Sequence, residues 1–310
     1  MGVKEMGKEK GSDSMQHRIL SFGEILWDII GDKEYIGGAP FNLAAHLAQL
    51  GCRSFLVSRV GRDERGRDAI KILREIGVED SYIQWDDLHP TGLVEVTLAM
   101  GMPAYEIRES VAYDFIQFDP KLEELKGEEF DVFCFGTLAQ RSKVSRETLG
   151  RILKSLKVKH VFLDINLRKP HYSPEIIKSS LTFCTILKLN DLEVEEISRL
   201  LYRGGMDEKE FIARITDEYS ISTACVTRGE KGCTIYHGGA FRDIPGIKTA
   251  VADTVGAGDA FSAGFLYQFC KNGDPFESGE VGNYLGAYVA SRSGAVPAYS
   301  DEVKGFLGVK

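Results

Sequence analysis

With 310 residues, 43% of them hydrophobic and 27% charged, the chain is long enough for one large α/β domain or two small ones around a sizeable core. Its net charge is −8, and Lys and Arg are dispersed rather than gathered in a stripe, which argues against nucleic acid as a partner. No apolar run reaches the roughly 18 residues of a membrane span, and the polar start lacks the apolar core of a signal peptide, so the expectation is a cytoplasmic protein with no membrane partner.

Residues 1–16 carry Gly, Ser, Lys and Glu but few large apolar groups and are predicted to form a disordered tail, with the folded domain running over 17–310. Short apolar runs at 19–22, 55–60, 132–135, 160–164, 186–189 and 224–227 predict strands, and helical patterns separate them. Such alternation implies a mostly parallel sheet covered by helices on both faces. Leu43, Ala44, Leu47, Ala48 and Leu50 mark the first helix, and Ile70, Leu73 and Ile76 the second, with Gly51 and Gly77 where helix stops belong. The rhythm breaks at 82–85 and 92–109, where two-residue alternation and a Gly101-Met102-Pro103 turn predict a small β-structured lid, mainly from about 82–110. The same strands would also suit a simple antiparallel extension or a dimer contact. The six cysteines are scattered in apolar surroundings with no C-x-x-C pair and read as reduced core thiols.

Two glycine-rich segments each run straight into a helical pattern. The stronger is Asp253-Thr254-Val255-Gly256-Ala257-Gly258-Asp259-Ala260-Phe261, followed by Phe265 and Phe269 at four-residue spacing, which predicts a buried helix over about 257–271. Unpaired N–H groups at its first turn would take a phosphate, and Asp259 beside them is useful if it removes a proton from a hydroxyl nucleophile. Merely capping the helix is the plainer role for Asp259. The other segment is Ile36-Gly37-Gly38-Ala39-Pro40-Phe41-Asn42, which offers close backbone approach at Gly37 and Gly38 and an amide at Asn42 that can both donate to and accept from a sugar hydroxyl. Asp28, expected just after the first strand, could accept from two adjacent hydroxyls or cap a turn.

Together these segments resemble the ribokinase-like, or PfkB, carbohydrate kinases over about residues 19–298. The resemblance implies a central α/β domain with a β lid, ATP as donor and a sugar hydroxyl as acceptor. It implies Asp259 as catalytic base and the Gly256, Ala257 and Gly258 amides as the anion hole. Asn190 and Glu193 match the N-x-x-E motif that organises Mg2+ and its waters around ATP, and Thr227, Arg228 and Gly229 resemble the segment contacting its phosphates. The Arg228 guanidinium is given no catalytic role. Asn283, placed on the C-terminal helix, matches the approach to adenine. Asp253 with the backbone oxygens of Val255, Val289, Arg292 and Gly294 resembles the K+ site of many members.

The local strings Phe22 to Asp28, Gly37 to Pro40 and Phe135-Gly136-Thr137-Leu138-Ala139-Gln140-Arg141-Ser142 look like bacterial fructokinases. Asp164-Ile165-Asn166-Leu167-Arg168 resembles a segment shared with 2-keto-3-deoxygluconate kinases. An acidic acceptor would want Arg168 and a second cation such as Arg108; a neutral ketose would rely on Asp28 and Asn42. The expectation is therefore transfer of phosphate from ATP to a primary hydroxyl of fructose. The alternatives are a 2-keto-3-deoxygluconate kinase and, outside catalysis, a sugar-binding regulatory module on a kinase fold. A homodimer through the lid would cover the edge of its strands.

Overall fold

A computed structural model describes residues 16–99 and 102–309, with the side chains of 96–105 outside the description. Most of the expected N-terminal tail and Gly101 of the expected turn lie outside the described residues. The chain runs β1 (Arg18–Phe22), β2 (Leu26–Ile30), β3 (Lys33–Gly37), α1 (Ala39–Gln49), β4 (Arg53–Gly61), α2 (Glu64–Ile76), β5 (Ile83–Asp86), β6 (Gly92–Ala99) and β7 (Met102–Ile107). It continues with α3 (Pro120–Glu123), β8 (Glu129–Phe135), α4 (Lys143–Ser155), β9 (Lys157–Asp164), α5 (Pro174–Leu181), β10 (Ile186–Asn190), α6 (Asp191–Tyr202) and α7 (Glu208–Glu218). The final elements are β11 (Thr223–Thr227), β12 (Cys233–His237), β13 (Ala240–Ile244), α8 (Ala257–Asn272), α9 (Pro275–Ala290) and α10 (Asp301–Leu307).

Nine strands form one sheet in the order β13-β12-β11-β10-β9-β8-β1-β4-β5, parallel from β11 to β5, with β12 and β13 antiparallel at one edge. All six predicted strands lie in it. Their alternating side chains feed two cores, because successive residues of a strand point to opposite faces. On β8, Val132 and Cys134 pack with Phe265 of α8 and Leu285 of α9, whereas Phe133 and Phe135 pack with Leu149 of α4 and Ile197 of α6. From β1 the chain builds β4 and β5 on one side, then returns at β8 to build the other side. The strand order therefore reverses between β1 and β8, where an open parallel sheet leaves a crevice at its strand ends.

A second sheet, ordered β3-β2-β6-β7, stands apart from the first. Two expectations are corrected here. Residues 82–85 do not join this sheet: β5 pairs parallel with β4, Ser58 opposite Ile83, because α2 and its left-handed Gly77 stop form a crossover returning the chain beside β4. In their place stands the β2–β3 hairpin. Asp28 thus sits within a strand of the small sheet, opposite Tyr35, rather than in a turn after β1.

Candidate active site

The N-terminus of α8 lies at the strand ends of the large sheet. Gly256 caps it at φ 77°, and a Cβ there would lie 2.6 Å from the Ala295 Cα, so both conformation and space require glycine. The helix behind it is held by apolar burial: Phe261, Phe265 and Phe269 stack along it with centroids 6.4 and 5.8 Å apart. Among the described residues the Gly258 and Asp259 amides have no protein acceptor, as expected of a first turn. No side chain caps this end. The Asp259 carboxylate instead accepts a 2.8 Å bond from Asn42 Nδ2.

Asn42 arrives on the first turn of α1, which starts from Gly38 at φ 107° directly beneath the Glu24 carbonyl; a Cβ on Gly38 would lie 2.5 Å from that oxygen. Two helix N-termini therefore converge on one carboxylate. The Asn42 Oδ1 is buried and has no protein partner. One turn further on, buried His46 donates from Nε2 to the Ala295 carbonyl (3.0 Å) and accepts at Nδ1 from the Tyr299 hydroxyl (2.7 Å). Burial lowers its pKa to about 4, so the ring is neutral and that pattern is fixed. The loop that presses on Gly256 is thereby tied to α1.

Sequence reasoning missed three charged groups here. Asp164 and Lys188 face each other on β9 and β10, with Lys188 Nζ 3.0 and 2.9 Å from the two Asp164 oxygens. Their side chains are only 11% and 8% exposed. Ser262 of α8 donates to Asp164 (3.1 Å), and Lys188 Nζ lies 3.3 Å from where a Cβ on Gly258 would stand, so the pair underlies the open amides. Burial alone would lower the Lys188 pKa, but Asp164, Glu193 and Asp259 together hold it above the usual value. The third group is Glu24, 5% exposed, in the turn after β1. It lines a cavity shared with Asp259, Asn166, Thr137 and Pro40. Alternation along the strands was the available signal for Asp164 and Lys188, since each takes a place where β9 and β10 otherwise put apolar residues toward α8.

The site shifts its carboxyls upward. Burial raises Asp259 from the usual 3.8 to about 6, Asp164 adds to this, and the Asn42 bond, Lys188 and Arg168 oppose it. Burial likewise raises Asp28 to about 6 against Arg168, and Glu24 to about 7 against backbone amides and Arg168. Arg168 is exposed in the loop after β9, which leaves Asn166 at φ 43°. Gly37 lies under Asp28, whose Oδ2 would be 2.7 Å from a Cβ there. The other expected cation, Arg108, is exposed beyond β7 and is not brought against these carboxyls; its carbonyl instead accepts from Arg141.

Asn190 and Glu193 form a reciprocal capping box on α6: Glu193 N donates to Asn190 Oδ1 (2.9 Å) and Asn190 N to Glu193 Oε2 (2.8 Å). Leu167 N takes the other Glu193 oxygen (2.8 Å), anchoring the loop that carries Arg168. Both oxygens are thus engaged by amides, so Glu193 fits Mg2+ through water rather than as a direct ligand, and no cluster of three acidic, His or Cys side chains suited to a metal occurs among the described residues. Thr227 ends β11 and donates to the Leu189 carbonyl (3.3 Å), and Gly229 follows at φ 55°. Arg228 is turned away to pair with Glu208. Asn283 lies on α9, not on the last helix, and donates to the carbonyls of Ile244 and Pro245 (3.4 and 3.3 Å). Asp253 accepts from the amides of Val255 (3.0 Å) and Gly294 (3.3 Å), while the Val289 carbonyl receives the Arg292 amide.

A parallel sheet with a reversal between β1 and β8, a glycine-entered helix N-terminus and a carboxylate at its mouth define a phosphotransferase-like centre. The family model for pfkB family carbohydrate kinases matches residues 16–302, and the chain belongs to that family. An uncharacterized sugar kinase of Pyrococcus horikoshii is 29% identical over 300 residues, covering 89% of this chain and 91% of that protein, and its crystal structure superposes with a TM-score of 0.75. Fructokinase-2 of Zea mays is 27% identical over 307 residues, covering 90% of each. The Vibrio cholerae fructokinase, solved with fructose, ADP and calcium, shares the fold at a TM-score of 0.80 and 23% identity, covering 94% of this chain and 99% of that one.

Proposed function

We propose that this sugar kinase is an ATP-dependent fructokinase that phosphorylates a primary hydroxyl, most naturally the one on C6. The reading is carried by the Asn42–Asp259 pair at the open amides of α8, with Asn42 Oδ1 left without a protein partner among the described residues. Asp259 takes the proton of the acceptor hydroxyl as its oxygen attacks the γ-phosphorus; the new P–O bond forms as the bond to the β-phosphate oxygen breaks. Asn42 holds the carboxylate and offers Oδ1 to a sugar hydroxyl. The open amides of Gly258 and Asp259, in a turn shaped by Gly256 and by Ala257, whose own amide is bonded to the Thr254 carbonyl (3.3 Å), receive charge developing on the transferred group, with Lys188 beneath. Asp28, Gly37, Gly38 and Arg168 bound the acceptor, and the small sheet excludes water. Asn190 and Glu193, with Thr227, Gly229 and Asn283, serve the nucleotide side. Asn190 and Glu193 would hold Mg2+ through water, and the ion would supply neutralisation of phosphate charge.

Fructose as acceptor is supported by the fructokinase relatives and the matching local strings; the solved Pyrococcus horikoshii sugar kinase in complex with ATP supports the donor. Cytoplasmic location suits this substrate pair. A homodimer through the small sheet is supported by exposed Ile30 and Tyr35 and is read by light scattering. The deciding assay is ADP release with Mg2+, ATP and a sugar panel. Asp259→Asn should keep sugar and ATP binding while turnover falls by about two to four orders of magnitude; undiminished turnover would remove Asp259 as the base. Binding without ADP release on any sugar would favour a regulatory module.

A further inference from the structure

The charges around the acceptor cavity are unevenly divided. Three carboxyls, Glu24, Asp28 and Asp259, stand within the field of one guanidinium, Arg168. Among the described residues the Arg168 guanidinium makes one hydrogen bond, to its neighbour's carbonyl. The other nearby cations are committed: Lys188 to Asp164, and Arg141 to both oxygens of Asp114 at 2.8 and 2.9 Å. Asp259 and Asp28 already have parts in the proposed chemistry. Glu24 has none. It is almost wholly buried, lines the cavity, and among the described residues makes no ion pair with any side chain; only the amides of Glu24 itself and Ala39 lean on it. Burying such a carboxyl is costly without a partner, and a hydroxyl-bearing ligand would provide one. A ligand carboxylate in the same place would add a fourth carboxyl to three that already share one guanidinium, the unfavourable element that specificity requires.

We propose that Glu24 is a specificity residue of this cavity, bonding hydroxyls of a neutral polyhydroxy acceptor and turning away acceptors that carry a carboxylate. The inference rests on the reading of this cavity as the acceptor site. Its test compares fructose with 2-keto-3-deoxygluconate at saturating ATP, in the wild type and in Glu24→Gln. The substitution should move the ratio of kcat/KM values by about tenfold or more toward the acid, through the sugar KM, and leave the KM for ATP unchanged. An unchanged ratio, with both sugars falling together through kcat, would make Glu24 only a prop for the first turn of α1 and overturn the proposal. Should Glu24→Gln fail to fold, Glu24→Asp retains the carboxyl: discrimination against the acid should persist while the fructose KM rises, and its loss would overturn the proposal. Calorimetric sugar affinities give the same ratio where turnover is slow. If the wild type uses a neutral sugar other than fructose, the fructose reading falls and the ratio is taken with that sugar; wild-type preference for the acid overturns the role of Glu24.

Discussion

Replacing Lys188 by Met removes the cation from beneath the α8 amides and leaves Asp164 buried with Ser262 as its remaining side-chain donor. Both partners are about nine-tenths covered, so water cannot take the place of the lost ammonium without opening the core. Removing one member of such a pair costs about 3–5 kcal/mol, whereas replacing both by apolar or neutral groups of similar size is close to neutral. Urea unfolding of Lys188→Met should therefore show a loss of that order, and Asp164→Asn combined with Lys188→Met should recover most of it. Turnover should behave differently. The double variant still lacks the charge beside Gly258, so its kcat should stay about a hundredfold or more below the wild type with sugar binding little changed. A Lys188→Met enzyme that loses less than about 1 kcal/mol would refute the energetic argument. A double variant with wild-type kcat would refute the electrostatic one.

With Asp259 as the proposed base and its carboxyl raised to about 6, kcat/KM should fall tenfold per unit as pH drops below about 6; Asn42→Ala removes a bond that favours the charged form and should move this limb to higher pH. A carboxyl whose folded pKa is raised stabilises the fold only as pH falls through that value, so Asp259→Asn should raise the melting temperature at pH 7 even as turnover falls by about two to four orders of magnitude. Gly256→Ala should cost more than the roughly 1–2 kcal/mol of a left-handed alanine, because Ala295, whose carbonyl is held by His46, cannot readily withdraw; calorimetric unfolding checks this. Exchanging K+ for a large organic cation should lower kcat if the Asp253 loop with Val255, Val289, Arg292 and Gly294 holds K+, and equal rates in both salts would dismiss that site.

What the sequence revealed depended on how local each signal was. The predicted helix over 257–271 matches α8 to within a residue, because phenylalanines at four-residue spacing behind a glycine entry need no distant partner to be read. Six of the seven parallel strands were equally plain, being largely apolar on both faces. The β2–β3 hairpin was missed since Lys33, Glu34 and Tyr35 are exposed and the strands are short and half-covered. Residues 82–85 alternate in a way that suits either sheet, and only the crossover through α2 decides between them. At the site, Asn42 and Asp259 were found separately, but their 2.8 Å bond spans more than two hundred residues of chain. Asp164, Lys188 and Glu24 stand in apolar runs, where a single charge resembles a surface position until strand register places Lys188 opposite Asp164.

The small sheet and the hydrogen bond to Asp259 share a short piece of chain: β3 ends at Gly37, α1 begins at Ala39, and Asn42 follows within its first turn. Any displacement of that sheet must be absorbed at Gly38, which is pinned under the Glu24 carbonyl, or be passed to α1. In the proposed mechanism, substrate coverage and alignment of the proton acceptor are thus mechanically geared to each other through one residue. Exchanging the β2–β3 hairpin to widen the range of sugars accepted would therefore change the timing of proton removal as well, and a variant selected only for binding would inherit a detuned base.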